Sequence, residues 1–322
     1  MRRLVLAVVV LALAGAAALL WVRSGWTGEG PLDTATTVVI PKGASLAKAA
    51  AVLEQRGVLA SADGFLTRAK LFGGDKPIRA GEFAVPAHTS PAAALAILQE
   101  GQAVQRLVTV PEGTPSVLVQ DALARATELT GPAPLPAEGS VLPDSYSYER
   151  GETRAAVLKR MQAAMTATLA ELWAKRSPDT VVRSPADAVT LASIVEKETG
   201  KPSERRTVAG VYSNRLRIGM RLQADPTVIY PVTKGRPLGR RILRSELDAV
   251  NGYNTYASAG LPTGPIANPG RASIEAVLNP AKTKALYFVA TGDGGHVFAE
   301  TLEQHNANVS KWFALRRARG EM

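Results

Sequence analysis

Residues 184–200 read SPADAVTLASIVEKETG, and this segment decides what the rest of the chain is built around. Ser184 is a good helix N-cap, Pro185 suits the first turn, and Asp187 completes a capping box three residues past the cap. Gly200 is the expected stop. On a wheel of about 100° per residue with Leu191 at the origin, Ile194 lies at about 300°, Val195 at about 40° and Glu198 at about 340°. Glu196 lies at about 140°, roughly 200° from Glu198, so the two carboxylates cannot share one site on a regular helix. Glu198 sits among Leu191, Ile194 and Val195, the face that must be buried. Desolvation there penalises the charged carboxylate, and the negative end of the helix dipole pushes the same way. A glutamate in that place is either paired with a cation or functional. Glu196 faces the polar side with Ser193 and reads as an ion-pairing or hydrogen-bonding residue.

A carboxylic acid held protonated near neutral pH is a proton donor for a glycosidic oxygen. Ordinary glycosidases add a second carboxylate, about 5–5.5 Å away when retaining and about 6.5–9.5 Å when inverting. Glu204 and Asp225 are candidates by proximity in sequence. Each also has a plain structural reading, Glu204 in the first turn of a further helix after Ser203 and Asp225 in a turn before Pro226.

The 322 residues carry a formal charge of +10 and no cysteine. Disulfides, thiolate metal sites and a cysteine nucleophile are excluded, and the charge points to an acidic partner such as nucleic acid, anionic lipid or a polyanionic wall. The N-terminus narrows the choice. Leu4–Val22 is an unbroken apolar run of 19 residues, about the length that crosses a hydrocarbon core. Arg2 and Arg3 before it favour a cytoplasmic N-terminus, which places the remainder outside the membrane and removes nucleic acid as a partner. The rival reading is a cleaved signal peptide with Ala14-Gly15-Ala16 as a loose cleavage site. The apolar run continues past that site, which favours the anchor.

Gly25–Thr36 reads as a linker. VVIPKGAS (38–45), FAVPAHTS (83–90) and VTVPEGTPS (108–116) each join a short strand to a Pro turn and a helical stretch. Ser90, Pro91 and Gly101 bound one such helix, so residues 37–104 are expected to form a small βααβ-type module. A strand–helix unit follows at 107–128, then the stiff connector GPAPLPA (131–137), a long helix at roughly 153–177 and one late strand, LYFVA (286–290).

The stretches LASIVEKETG, SERRTVAGVYSNRLRIGMRLQADPTVIY, YNTYASAGLPTGPIANPGRASIEAVLNP and LYFVATGDGGHVFAETLEQHN resemble the MltG/YceG family of membrane-bound endolytic murein transglycosylases, nearly continuously from Glu138 to about Asn308. The resemblance implies an α+β chain: cytoplasmic tail 1–3, transmembrane anchor 4–22, linker 23–36, LysM-like module 37–104, strand–helix unit and connector 105–137, and a larger, mainly helical catalytic domain 138–322 with irregular loops and a few strands. It implies lytic cleavage of peptidoglycan strands between N-acetylmuramic acid (MurNAc) and N-acetylglucosamine (GlcNAc), with 1,6-anhydroMurNAc ends and termination of nascent strands. The catalytic glutamate of the EKET segment corresponds to Glu198, with Glu196 and Glu204 in support. It also implies no cofactor, a single-pass inner-membrane protein with its catalytic domain outside the cytoplasm, and peptidoglycan synthases (penicillin-binding proteins) as partners. Gln223, Asp225, Asn254, Thr255 and Tyr256, in polar loops of these motifs, carry the groups that bind sugar hydroxyls and N-acetyl groups, and the same residue types equally well form the turns of those loops. Arg215 and Arg217 suit ion pairs with Glu196 or Glu204, or contacts with acidic stem peptides.

Other chemistries find little support. His88, His296 and His305 form no metal-binding motif. Ser45-Leu-Ala-Lys48 has the spacing of a penicillin-binding serine enzyme but lacks its Lys-Thr-Gly companion. The competitor from another class is a membrane-anchored wall-binding scaffold without catalysis. Such a scaffold has no need of an uncharged carboxyl on an apolar face.

Overall fold

A computed structural model of the protein describes residues 2–320. The extreme ends of the expected 1–3 tail and 138–322 domain lie outside the described residues. The chain is mixed α/β and forms two compact units. One holds the residues up to Arg106 together with Glu149–Gly151; the other holds Leu107–Tyr148 and the residues from Glu152 onward.

The first unit opens with α1 (Arg2–Thr27), whose apolar stretch Val8–Thr27 is long enough to be a membrane span or a signal sequence. The rest follows as β1 (Thr36–Ile40), α2 (Leu46–Gln55), α3 (Ala62–Phe72), β2 (Gly81–Val85) and α4 (Pro91–Glu100). β1 and β2 pair antiparallel with Val38 opposite Phe83. Val38, Ile40, Leu53, Phe65, Phe83 and Leu98 form the core beneath the helices. Ser45, Ser61 and Ser90 cap α2, α3 and α4 through their hydroxyls. Ser45 accepts from the Lys48 N–H, so the Ser-Leu-Ala-Lys spacing is that of a helix cap.

The expected linker is not a free segment. α1 continues to Thr27, and Trp26 is buried 5.7 Å from the Phe65 ring and 6.4 Å from that of Phe72. Leu32 is buried in the same core. A tryptophan at the last turn of α1 gives that turn enough apolar area to join the module.

The second unit begins at the boundary with β3 (Arg106–Thr109), then α5 (Ser116–Arg125), β4 (Ser145–Tyr148), α6 (Arg154–Ala174), α7 (Pro185–Glu198), α8 (Arg205–Arg217), α9 (Asp225–Thr233), α10 (Arg244–Asp248), α11 (Arg271–Leu278), β5 (Tyr287–Ala290), β6 (His296–Ala299) and α12 (Leu302–Ala318). β3 pairs with β4, and the expected late strand is one arm of the antiparallel hairpin β5–β6. α7 lies at the centre, packed by α6, α8, α9 and α11. Ser184 caps it as the sequence predicts, whereas the Asp187 carboxylate reaches back to the Arg183 N–H rather than to the cap residue. The helix ends at Glu198 with Thr199 extended, and Gly200 does not adopt the left-handed conformation of a glycine stop.

The middle of α7 has no solvent-facing side. Every residue from Ala188 to Val195 is buried. Thr190 donates to the Ala186 carbonyl (2.9 Å) and Ser193 to that of Thr190 (2.7 Å), so both hydroxyls enter the core already satisfied. Ser193 also accepts from the Ile266 N–H at 3.0 Å.

Candidate active site

The two glutamates at the end of α7 take different surroundings. The Glu196 side chain is 6% exposed, accepts from Arg205 Nη2 at 3.3 Å and from the Gly270 N–H, at the start of α11, at 2.9 Å. It is a structural carboxylate that ties α7 to α8 and α11. Glu198 ends the helix at the floor of a cleft of about 600 Å³. Protein crowds its carboxyl although the side chain is only partly buried, and burial pushes the group up to about 7. A hydrogen bond from the Tyr212 hydroxyl and the Arg215 charge pull the other way, and the Asp225 charge adds to the rise. An open mouth with a low-dielectric floor suits a proton donor that works near neutral pH.

Tyr212 and Arg215 stand three residues apart on α8 and so share the face that looks onto α7. Tyr212 is 1% exposed, and its phenol is held well above its ordinary range by burial and by the Glu198 charge. Arg215 is 7% exposed and donates from Nε to the Leu286 carbonyl (2.7 Å) and from Nη1 to that of Leu222 (2.5 Å). It therefore fastens β5 and the loop before α9 around the acid, instead of pairing with Glu196 or Glu204. Arg217 donates to Asn214 Oδ1 and to the Asp179 carbonyl, and likewise pairs with neither glutamate.

Gln223, Asp225 and Tyr256 line the same cleft as Glu198. Gln223 has a left-handed backbone (φ 52°), uncommon for a residue other than glycine, held by a 3.1 Å bond from its N–H to the Thr255 carbonyl. Asp225 opens α9 rather than sitting in a turn, and accepts from the Tyr256 hydroxyl at 2.6 Å. Asn254 and Thr255 lie behind this wall, 1% and 2% exposed. Asn254 Nδ2 donates to the carbonyls of Glu246, Leu247 and Ala249, and Thr255 Oγ1 bonds Thr227 Oγ1 and accepts from the Ala224 N–H. Their polar groups support the loops that carry Gln223 and Tyr256; neither residue lines the cleft.

Glu204, the N-cap residue of α8, accepts from the His296 N–H (3.0 Å) and ring Nδ1 (2.8 Å). Burial pushes its carboxyl up, and His296 and Lys201 outweigh that and leave it below its usual range. It does not line the cleft. Of the two candidate second carboxylates, Asp225 alone shares the cleft with Glu198.

The far wall escaped the sequence reading. Phe288 of β5 and His305, Val309, Trp312 and Phe313 of α12 complete the cleft. His305 stacks on Tyr287 at 5.2 Å, and burial followed by the Arg215 charge lowers its pKa. The signal was present in HNANVSKWF, where positions i, i+4, i+7 and i+8 put one apolar and aromatic stripe on an otherwise polar helix.

The site is thus an acid at the end of a buried helix, in an open cleft with aromatic and amide groups on its walls. Residues 38–311 match the profile of the YceG-like family, and the chain belongs to that family. An endolytic murein transglycosylase of Bacillus subtilis (strain 168) is 35% identical over 181 residues, 56% of this chain and 49% of that protein. One from Streptococcus pneumoniae (D39) is 34% identical over 181 residues, 54% of this chain and 32% of the other. The match thus spans about half the length of the first relative and a third of the second. A crystal structure of a yceG-like protein from Listeria monocytogenes superposes with a TM-score of 0.54 at 27% identity, covering 85% of this chain and 98% of that one.

Proposed function

We propose that this chain is a membrane-anchored endolytic lytic transglycosylase. It cuts peptidoglycan strands between MurNAc and GlcNAc and terminates nascent strands beside the synthases that extend them. The observation that carries the reading is the Glu198 carboxyl at the cleft floor, pushed up to about 7. The relatives named as endolytic murein transglycosylases support it. In the reaction, Glu198 gives its proton to the glycosidic oxygen as the C1–O bond breaks. As a carboxylate it then takes the proton of the muramic acid C6 hydroxyl, whose oxygen bonds to C1. No water is consumed, and the acid is regenerated. An intramolecular nucleophile has a high effective concentration, so one carboxyl suffices. Gln223 and Tyr256, on the cleft wall, would bind sugar polar groups.

The β1–α2–α3–β2 order of the first unit supports a LysM-like role for residues 37–104 in wall placement, with 138–322 as the catalytic domain. Anchor 4–22 with Arg2 and Arg3 inside would put both outside the cytoplasm. Digestion of purified glycan strands by the full chain in detergent, followed by mass analysis, tests the chemistry. Products should carry 1,6-anhydro ends, lighter by one water than reducing ends. Reducing ends would overturn the lytic reaction and assign water activation to Asp225, which shares the cleft. Intact strands would leave the scaffold reading.

A further inference from the structure

A second hollow opens one residue away from the catalytic cleft on two elements at once. Glu198 and Asp225 line the cleft, while Lys197 and Pro226, their neighbours in the chain, line this hollow of about 560 Å³. That volume suits a small ligand rather than a long polymer. Its walls are mainly apolar, with Pro115 and Leu118 on one side and Ile229 and Tyr230 of α9 on the other.

The walls are fixed in place. The Tyr230 hydroxyl is hydrogen-bonded to the Glu138 carboxylate, which also accepts from the Ser116 N–H (2.9 Å) and Oγ (3.0 Å). Gly235 has φ 89°, and a Cβ there would lie 2.3 Å from Pro115 Cβ, so only glycine allows the loop after α9 to close against Pro115. The charges at the rim are unequal. Arg236 is paired with Asp121 at 2.9 Å, and Glu112 with Arg205 at 3.4 Å. Lys197 Nζ makes one long contact, 3.5 Å to the Gly113 carbonyl, and its side chain is exposed. The site is an apolar slot whose rim holds the Lys197 ammonium, which pairs with no carboxylate among the described residues.

The substrate carries a group of matching chemistry at the matching place. Resting on the transglycosylase reading above, the sugar cut at C1 bears on its O3 a lactyl group amide-linked to a short peptide. That peptide begins with alanine and continues with an acidic residue. With C1 at Glu198, O3 of the same ring starts the stem within one sugar ring of the acid, next to the elements that line both hollows. We infer that the hollow between α9 and the start of α5 receives this acidic stem, its methyl groups against Pro115 and Ile229 and its carboxylate on Lys197. The protein then prefers peptide-bearing strands to bare glycan.

The test uses the full chain in detergent, with Glu198→Gln to stop turnover. Its affinity is measured for strands bearing their stems and for the same strands stripped by an amidase. Peptide-bearing strands should bind at least tenfold tighter. Lys197→Glu, a surface change, and Ile229→Asp, in the slot, should each reduce that ratio below threefold, while Lys284→Glu, outside both hollows, should leave it. A ratio near one, or one that Lys197→Glu does not move, overturns the inference. So does an equal fall in Lys284→Glu, which would assign the preference to bulk positive charge. Wild-type turnover on the same strands separates the two readings. Preferential binding without cleavage overturns the transglycosylase and keeps the stem slot. Anhydro ends without a binding preference do the reverse.

Discussion

The proposed reaction places two opposing demands on Glu198: its carboxyl must be desolvated enough to hold a proton near pH 7, yet open to a bulky strand. The cost falls on stability. Burial raises the native pKa from 4.5 to about 7, so between those values the folded chain keeps a proton that the unfolded chain releases. Stability therefore falls as pH rises through that window and stays reduced above it. Glu198→Gln removes the penalty. It should stabilise the protein by about 1–3 kcal/mol at pH 8, after discounting for partial exposure, and by almost nothing at pH 4.5. Tm measured at the two pH values checks this; equal shifts would mean the carboxyl is not desolvated. The same substitution should lower glycan cleavage by about 10²–10⁴-fold, because an amide can neither supply nor accept the proton. For the wild type, kcat/KM should fall as pH rises above about 7, where the donor ionises. Asp225→Asn removes a like charge from beside Glu198, favours its ionised form and should move that limb to lower pH. A limb that stays in place or rises would show that Asp225 does not act on the acid through its charge.

At the scale of elements, the site is the end of one buried helix walled by parts distant in sequence. Glu196 shows how the helix is held. It joins α7 to α8 through Arg205 and to the start of α11 through the Gly270 N–H. Arg205→Ala would leave a buried carboxylate without its cation and should cost about 3 kcal/mol in chemical denaturation, with anhydro ends unchanged among the products. A loss under about 0.5 kcal/mol would place Glu196 in water instead. Opposite the acid, α12 has no buried residue of its own, yet it presents Trp312 and Phe313 to the cleft. Flat aromatic faces bury the apolar side of a sugar ring, so Trp312→Ala should raise KM about tenfold with little change in kcat; the reverse split would make α12 part of the acid's support. The cap of α7 and the separation of its two glutamates were legible in the sequence because both are local. The amphipathic face assumed for the helix was not: Thr190 and Ser193 look polar on a wheel, but each satisfies its hydroxyl on the helix's own backbone and enters the core. Asn254 and Thr255 misled for a related reason. The amides and hydroxyls that bind sugars are the same groups that satisfy buried loop backbone. The α12 wall was hidden by distance, since no local rule brings residue 312 to residue 198.

For the whole molecule, the apolar run near the N-terminus was plain from its length, but where it ends was not. The expected break after Val22 is helix, and Trp26 lies in the core of the first unit against Phe65 and Phe72. With α1 as the proposed anchor, the span continues as one helix into the packed module without slack, so the module should stand at a fixed height above the lipid. This sets a sharp boundary for removing the anchor. Deleting residues 2–20 keeps Trp26 and should release the protein from the membrane fraction with the first unit intact. Deleting residues 2–27 also removes the tryptophan, and loss of a buried Trp side chain costs about 3–5 kcal/mol, much of what a module of this size possesses. Trp26→Ala in the full chain isolates that term without touching membrane insertion. Limited proteolysis should then cut the full-length variant between β1 and α4 at temperatures where wild type resists. Equal resistance would mean that α1 ends before the module and that the segment up to Thr36 is the flexible linker its composition suggested.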